Sequence, residues 1–328
     1  MIGRHLARLF VVALAALSWS CSVDADSLAA TGSFDRTLTV NEPVNLDIQT
    51  GSGSIEIRRG GTGQVRIVGR IRAHRGFWNN SSAEDRVRRI EANPPIEQRG
   101  GAIEIGQFSP RDLGQNVSIS YQLLVPEDAR VRSRTGSGSQ DIGSLKGPVD
   151  VSTGSGHIRV GKIGGAVTAS TGSGSIEVLG AAGLDATTGS GSVMARDVAG
   201  AAKARSGSGE IEVQYAAAGD GDFLTGSGSV TVLGASGRLR AHAGSGTIAI
   251  EGNPSGDWSV DSGSGSITLR LPPTAAFDLD AETGSGSITT NHPIESLGAI
   301  SKRHIQGRVR GGGPRVEVSA SSGTIRLD

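Results

Sequence analysis

The octapeptide TGSGSIEV, residues 171–178, joins a Gly-Ser-Gly unit to the apolar, β-branched residues Ile176 and Val178. Segments rich in Gly and Ser alone behave as flexible linkers, whereas alternating apolar residues are typical of a half-buried strand. The unit recurs in steps of mostly 17 to 19 residues, which indicates a repeated turn between strands. Its copies begin at Gly51, Gly136, Gly154, Gly172, Gly189, Gly207, Gly226, Gly244, Gly263 and Gly284, with a final SSG variant at Ser321.

The residues after each unit form two columns that are apolar almost throughout. The first column is the fourth residue after the first residue of each unit: Ile55, Gln140, Ile158, Ile176, Val193, Ile211, Val230, Ile248, Ile267, Ile288 and Ile325. A second alternating pair precedes each unit, for example Val149 and Val151, so each period supplies two strands and a short third side. Neither strand can bury its inner face alone, and stacking the coils about 4.8 Å apart closes a core. The sequence therefore predicts an all-β, right-handed parallel β-solenoid of roughly 18-residue coils.

The turn residues have a predicted role in this stack. We expect the glycines to occupy corners where φ is positive or where backbones approach closely. We also expect the serine between them to donate its hydroxyl to neighbouring coils. An outward column should place opposite charges next to one another, in the order Arg132, Asp150, Thr168, Asp185, Lys203, Asp222, Arg240, Ser259 and Asp280.

Residues 34–130 predict a β-rich segment with one short helix and the first repeat copy, followed by the repeat region at residues 131–328. VRIVGRI from Val65, AIEI from Ala102 and NVSISYQLLVP from Asn116 alternate as strands do. SSAEDRVRRIEANPP predicts a helix with Ser82 as its N-cap. Its predicted inner face is Ala83, Val87 and Ile90, and its predicted ion pairs are Glu84–Arg88 and Asp85–Arg89.

The first residues are typical of a bacterial secretory signal. Arg4 and Arg8 precede an apolar run from Leu9 to Leu17 and a small, polar region, so residues 1–20 predict a signal peptide. Cys21 stands where a lipoprotein signal places its acylated residue, although cleavage after Ala25 would remove it instead. We expect an exported protein of the periplasm, outer membrane or cell surface, with possible attachment through Cys21.

Composition and motifs argue against several classes of function. Lys plus Arg and Asp plus Glu both number 32, and this neutral balance lacks the basic footprint of a nucleic-acid-binding protein. GHIRVGKI, residues 156–163, has Ile163 where a P-loop needs Ser or Thr. The histidines His74, His157, His242, His292 and His304 lack metal-ligand spacing, and we expect them to be surface residues. We therefore expect no cofactor.

Acidic residues and threonines raise three further alternatives. Calcium-binding β-rolls carry Asp in the turn, whereas Asp150, Asp185, Asp222 and Asp280 are predicted on a strand face, so we expect no metal. Glu177 and Glu212 lie outward in one column, but Met194 separates them by a full coil, too far for a paired acid and base. The column Thr135, Thr153, Thr171, Thr188, Ser206 and Thr225 is predicted to face inward, unlike an ice-binding array. No catalytic residue is expected.

The order of segments resembles a bacterial family described as "putative adhesins". NLDIQTGSGSIEI from Asn45, ISYQLLVPEDARV from Ile119, serial TGSGSIEV coils and the closing GGGPRVEVSASSGTIRL carry the resemblance, from about Phe34 to Asp328. It implies a β-helical domain of unknown function, with no catalytic residues to carry over. We expect a non-enzymatic, adhesin-like envelope protein that binds an unknown protein or glycan. A polysaccharide-active β-helix enzyme and a periplasmic accessory protein of envelope sensing are the alternatives.

Overall fold

The computed structural model describes residues 28–74, 82–108, 111–296 and 301–328. The predicted signal peptide and Cys21 lie outside the described residues. The N-terminal part contains the strands β1 Leu28–Thr39, β2 Asn45–Thr50, β3 Ile55–Arg59, β4 Gln64–His74, β5 Ile96–Arg99, β6 Ala102–Ile105 and β7 Val117–Val125, the helix α1 Ala83–Ala92, and a 3₁₀ turn at Arg111–Gly114.

The repeat region continues as strand pairs joined by the Gly-Ser-Gly turns. These strands are β8 Arg130–Thr135, β9 Gln140–Ile142, β10 Val149–Thr153, β11 Ile158–Lys162, β12 Ala166–Thr171, β13 Ile176–Gly180, β14 Gly183–Thr188, β15 Val193–Val198, β16 Ala202–Ser206, β17 Ile211–Tyr215, β18 Gly221–Thr225, β19 Val230–Ala235, β20 Leu239–Ala243, β21 Ile248–Gly252, β22 Trp258–Ser264 and β23 Ile267–Arg270. The last elements are β24 Phe277–Ser285, β25 Ile288–Thr290, β26 Ile294–Ser296, β27 His304–Val309, β28 Arg315–Ser322 and β29 Ile325–Leu327.

Two long sheets face each other across one continuous core. Sheet A runs β1-β4-β7-β3-β9-β11-β13-β15-β17-β19-β21-β23-β29-β25, and sheet B runs β26-β27-β24-β28-β22-β20-β18-β16-β14-β12-β10-β8-β2-β6-β5. Equivalent residues pair in register, as in Ile158 with Ile176, Ile176 with Val193, and Val193 with Ile211. These inner residues are buried. On the narrow third side, isolated bridges join Leu145 to Ile163 and Ala181 to Val198. The predicted all-β parallel solenoid is confirmed.

Twelve parallel coils can be traced in the described part of the chain, one more than the turn motifs indicate. The additional coil consists of β6 and β7, where the 3₁₀ turn replaces Gly-Ser-Gly. It lies outside the coil of β2 and β3, which in turn pairs with β8 and β9. Both sheets therefore run without a break past Val131, the predicted start of the repeat region. At the 4.8 Å spacing of paired strands, twelve coils extend over roughly 50 to 55 Å.

The last repeat in sequence is not the last coil in space. Strands β28 and β29 insert between β22–β23 and β24–β25, and all of these pairings are parallel. Antiparallel strands then flank the outermost coils, β27 next to β24 at one end and β4 next to β7 at the other. Both the first repeat copy and the last are thus enclosed between other coils.

The Gly-Ser-Gly turns require glycine mainly because neighbouring backbones touch. A Cβ on Gly174 would lie closer than 3 Å to the carbonyl oxygen of Gly156, and the same holds for its equivalents along the stack. Among these turn glycines in the described residues, only Gly286 has a positive φ. Close approach, one of the two predicted reasons, is therefore the general one.

The predicted serine ladder is wrong, because threonines perform its role. The middle serines are solvent-exposed at Ser137, Ser155, Ser173, Ser190 and Ser208, and the structure, within its described ranges, gives their hydroxyls no hydrogen bond to another coil. Instead, the buried hydroxyls before the turns donate to glycine carbonyls of the preceding coil at 2.9–3.0 Å; these belong to Thr135, Thr153, Thr171, Thr188, Ser206 and Thr225. This column faces inward, as predicted.

Helix α1 packs against β1 and β4. It begins as predicted, since the Ser82 hydroxyl accepts a hydrogen bond from the Asp85 N–H at 3.1 Å. Ala83, Val87 and Ile90 are buried as predicted, together with Arg86. The predicted ion pairs at a spacing of four residues do not form. Instead, Asp85 pairs with Arg88 at a spacing of three residues.

Candidate interaction surface

The outer face of sheet B carries a column of charges in register with the coils. Arg132 pairs with Asp150 at 3.1 Å, and Lys203 with Asp185 at 3.6 Å. Asp222 instead pairs at 2.8 Å with Arg205 of the adjacent column. The predicted in-register stacking is confirmed over this stretch. The side chains at these positions are therefore held at the spacing of the coils.

The column departs from the predicted alternation near the C-terminus. Because β28 is inserted there, Glu317 lies beside Asp280, which places two like charges on neighbouring strands. The Arg315 guanidinium lies 3.4 Å from the Asp280 carboxylate and 3.3 Å from that of Glu317. One cation thus screens both acids, and the repulsion is offset locally.

A shallow groove of about 480 Å³ follows the same side of the solenoid. Its lining includes Leu184, Lys203, Arg240 and the pair Asp220–Arg238. The Arg238 guanidinium lies 2.6 Å from the Asp220 carboxylate, and the backbone N–H of Arg238 donates to the same group at 2.9 Å. These hydrogen bonds lower the pKa of the Asp220 carboxyl below its ordinary value. The groove is thus apolar at its floor and mixed in charge at its rim.

The outer face of sheet A contains a second charged network near the N-terminal end. Arg58 donates to both carboxylate oxygens of Asp141, at 2.7 and 2.9 Å, and to Glu56 at 3.0 Å. The hydrogen bond to Asp141 is the main cause of the raised pKa of the Arg58 guanidinium. One coil further, Arg159 pairs with Glu177 at 2.9 Å. The network ties neighbouring coils together through their side chains.

Two arginines on the same sheet have no such partners. Arg70 and Arg72 are exposed on β4, and in the described residues neither forms an ion pair or a side-chain hydrogen bond. Arg66 on the same strand pairs with Asp35 at 2.6 Å. We call Arg70 and Arg72 the arginine patch. The strand predicted from Val65 includes Arg70, but the sequence alone does not reveal the patch, because its neighbours come from β1 and β7.

The residues considered as candidate acids or metal ligands are dispersed. Glu177 and Glu212 are separated by Met194 in the observed register, as predicted. Asp150, Asp185, Asp222 and Asp280 lie on strands, as predicted, and each has a cationic partner within 3.6 Å. Within the described ranges, no group of three or more His, Cys, Asp or Glu could hold a metal ion.

The histidines have varied environments. His242 lies 3.3 Å from Asp261, and His304 lies 3.4 Å from Asp280. His292 differs from the predicted surface histidine, since it is buried and packs edge-on against Phe277 with ring centroids 5.7 Å apart. His157 accepts a hydrogen bond from the backbone N–H of Ser175 at 3.3 Å. These positions are structural or solvated.

A cleft of about 590 Å³ opens at the turn of the outermost coil. Gln49, Phe108, Ile119 and Tyr121 are among the residues that line it. The Tyr121 side chain is buried, and among the described residues its hydroxyl has no hydrogen-bond partner. Burial raises the pKa of this phenol above its ordinary value.

No helix in the described ranges combines the length and apolar character needed to cross a bilayer.

Comparison with known proteins gives a family and a set of distant structures. No curated protein matches the chain. A crystal structure described as a "putative cell adhesion protein" from Clostridium sporogenes is 12% identical, covers 91% of this chain and 99% of its own, and has a TM-score of 0.19.

Two further crystal structures are similarly distant. A "putative lipid binding protein" from Parabacteroides distasonis is 13% identical, covers 90% of this chain and 97% of its own, and has a TM-score of 0.40. A "putative adhesin" from Bacteroides fragilis is 11% identical, with the same coverage and a TM-score of 0.31. A family model described as Toastrack DUF4097 matches residues 161–328, just over half of the chain. The protein therefore belongs to the Toastrack DUF4097 family, whose function is unknown.

Proposed function

We propose that this protein is a non-enzymatic, adhesin-like rod of the bacterial cell envelope, with a binding or structural role. The observation that carries the proposal is the organisation of the outer faces. Charged side chains recur on sheet B at the spacing of the coils and pair across them, as Arg132 does with Asp150 and Lys203 with Asp185. Such a surface suits an extended, polar partner, a protein or a glycan, better than a small molecule.

The enclosed positions of the first and last repeat copies support a structural role. The first and last repeat copies each lie between two other coils, so neither sits at the open end of a sheet. A strand that pairs on both sides opens only when a neighbouring coil opens too. This arrangement favours a rod that keeps its faces in place under load.

The carboxyl groups support a non-enzymatic role. Four described carboxyls accept hydrogen bonds that lower their pKa values; they belong to Asp35, Asp85, Glu127 and Asp220. The largest cause in each case is a hydrogen bond from a neighbouring arginine or lysine. A general acid in glycoside cleavage needs the opposite shift.

The envelope location rests on the first residues. Arg4, Arg8 and the apolar run from Leu9 to Leu17 have the order of a secretory signal. If Cys21 is acylated, the solenoid would be held at the membrane by its N-terminal end. Replacing Cys21 by Ser should then move the protein from the membrane fraction to the soluble fraction. Unchanged fractionation would reject the anchor.

The binding role is tested with protein purified from cells. We expect it to bind isolated envelope polysaccharide or whole cells, and a variant with Lys203→Ser and Arg238→Ser to bind more weakly. A variant with Arg88→Ser and Arg99→Ser, which removes the same charge away from sheet B's repeat face, is the matched control. The same preparation is assayed on a panel of polysaccharides. Reproducible cleavage that Glu177→Gln abolishes would overturn the non-enzymatic proposal.

A further inference from the structure

The arginine patch places two neighbouring cations on the outer face of sheet A, with no carboxylate partner among the described residues. Arg70 and Arg72 are two positions apart on β4, so both point to the outer face, while Ile71 between them is buried. In the described residues neither guanidinium has a carboxylate partner. Arg66, four residues earlier, is already paired with Asp35. The patch thus presents two adjacent cations that no described carboxylate neutralises.

The neighbouring strands place hydroxyl groups on both sides of the patch. Across β1, Ser33 lies opposite Arg70 and Thr31 opposite Arg72. Across β7, Ser120 lies opposite Arg70 and Ser118 opposite Arg72. Side chains directly opposite each other on neighbouring strands have Cβ atoms about 5 Å apart. Two guanidinium groups are therefore bordered by four hydroxyls: Thr31, Ser33, Ser118 and Ser120.

This combination suits a phosphate group. Arginine binds phosphate oxygens through two parallel N–H donors, and hydroxyls can donate to the remaining oxygens. The Ser120 hydroxyl oxygen accepts from the Ser54 N–H at 3.3 Å, which leaves its own proton to donate. Two acids lie near the patch: Glu91 of α1 accepts from the backbone N–H of Ser33 at 2.8 Å, and Asp35, two residues further along β1, is paired with Arg66.

The position of the patch along the chain indicates where the phosphate would come from. Leu28, the first described residue, pairs with His74, and Thr31 pairs with Arg72, so the patch adjoins the start of β1. Residues 1–27 enter the fold at this point and contain the apolar run from Leu9 to Leu17 and Cys21. Seven residues from Cys21 to Leu28 span at most about 25 Å. A membrane anchor at Cys21 would hold this face near lipid headgroups.

We propose that the arginine patch, Arg70 and Arg72 with their four flanking hydroxyls, is a docking site for the anionic phosphate headgroups of a lipid surface. The membrane position rests on the envelope location proposed above, whereas recognition of the headgroup rests on the patch itself. Each basic residue near an anionic membrane contributes about a fivefold increase in binding. Loss of both should therefore reduce the preference for anionic lipid on the order of 25-fold.

The experiment measures the ratio of the protein's partition coefficients on anionic and on neutral vesicles. Any contribution of an acyl chain is the same on both and cancels from this ratio. The protein as cells produce it is partitioned onto vesicles of phosphatidylglycerol with phosphatidylcholine, and onto vesicles of phosphatidylcholine alone. We expect a ratio well above one that falls as salt is raised. Arg70→Ser with Arg72→Ser should bring it close to one. Arg270→Ser with Arg303→Ser removes the same charge from exposed arginines that form no ion pair in the described residues, and should leave the ratio unchanged.

Three outcomes would overturn the proposal. These are a parent ratio of one, an unchanged ratio in the Arg70 and Arg72 variant, and an equal fall in both double variants, which would indicate net charge alone. Inorganic phosphate distinguishes the sources: if the parent protein binds it at matched ionic strength but shows no preference for phosphatidylglycerol vesicles, the patch binds free phosphate and not a lipid surface. Circular dichroism of each variant confirms folding. Fractionation of Cys21→Ser cells tests the envelope location separately, whatever the vesicle ratio shows.

Discussion

The hydroxyl of Thr171 joins its coil to Gly156 of the coil before it. It donates to the Gly156 carbonyl oxygen at 3.0 Å and accepts from the N–H of Gly174 at 3.1 Å. The same double contact recurs at Thr135, Thr153, Thr188, Ser206 and Thr225. Glycine lets the two backbones approach, and the hydroxyl satisfies the polar groups that this approach buries.

Removing one hydroxyl from this ladder should destabilise the solenoid. Thr171→Val keeps the shape of the side chain but leaves the Gly156 carbonyl and the Gly174 N–H without their partner. We expect a loss of about 1–3 kcal/mol in the free energy of unfolding, measured by urea titration. Thr168→Val on the same strand is the control, because Thr168 is exposed and its change should stay within about 0.5 kcal/mol. Equal effects at both positions would contradict the role of the ladder.

Ala243 is a natural gap in the ladder and offers the opposite test. It is fully buried, and its neighbours in register are Thr225 and Ser262, whose hydroxyls bond to the preceding coils at 2.9 and 3.1 Å. Ala243→Ser should supply the missing hydroxyl and stabilise the protein by about 0.5–1.5 kcal/mol. Ala249→Ser on the outer face serves for comparison. A lower unfolding midpoint for Ala243→Ser would show that the backbone at this coil is already satisfied.

Glycine at the second position of the turn should be indispensable. A Cβ at Gly174 would lie closer than 3 Å to backbone atoms, which cannot move aside as a flexible side chain can. We expect Gly174→Ala to cost roughly 3 kcal/mol or more, seen as a lower urea midpoint and a weaker far-ultraviolet strand signal. Gly183→Ala is the matched control, since its Cβ would lie 3.5 Å from the Ala201 carbonyl oxygen, an ordinary contact. A mild effect at Gly174 would argue against close backbone packing.

Periodicity was sufficient to predict the core but not the hydroxyl ladder. Ile176 and Val178 belong to columns that only a stacked coil can bury, so their burial followed from the repeat. Alternation also placed Thr171 on the inner face. It did not show that this hydroxyl, and not that of Ser173, reaches the next coil, because that depends on the path of the turn.

The order of the coils lies beyond sequence reasoning for a related reason. Val316 and Val318 of β28 match the apolar columns of any coil, so the repeat alone cannot say which strands flank them. The coil of β6 and β7 was missed because its turn lacks Gly-Ser-Gly. The partners of Arg70 come from β1 and β7, which are remote in sequence, so the arginine patch appeared only once the strands were paired.

The pair Asp220–Arg238 gives a prediction about titration. The hydrogen bond from Arg238 lowers the pKa of the Asp220 carboxyl below 3.8, its ordinary value. The folded state therefore binds the proton less readily than the unfolded state. The stability from this pair is present above about pH 4 and is lost as the pH falls through the lowered pKa. Carbon-13 NMR titration should show this pKa rising towards 3.8 in Arg238→Gln, and unchanged in Arg240→Gln. If the Asp220 pKa were the same in Arg238→Gln as in the parent protein, the pair would not form in solution.

The insertion of β28 predicts how the C-terminal end opens. Val318 is buried between β22 and β24, so Val318→Asp places an unpaired charge in the core and separates both neighbours. We expect limited proteolysis to cut within residues 277–309 of this variant as well as within β28, because the coil of β24 and β25 pairs with the rest of the solenoid through β28 and β29. Ser319→Asp adds the same charge at an exposed neighbour and should leave the region protected. If β28 were instead an outer strand, cleavage would stay within residues 315–328.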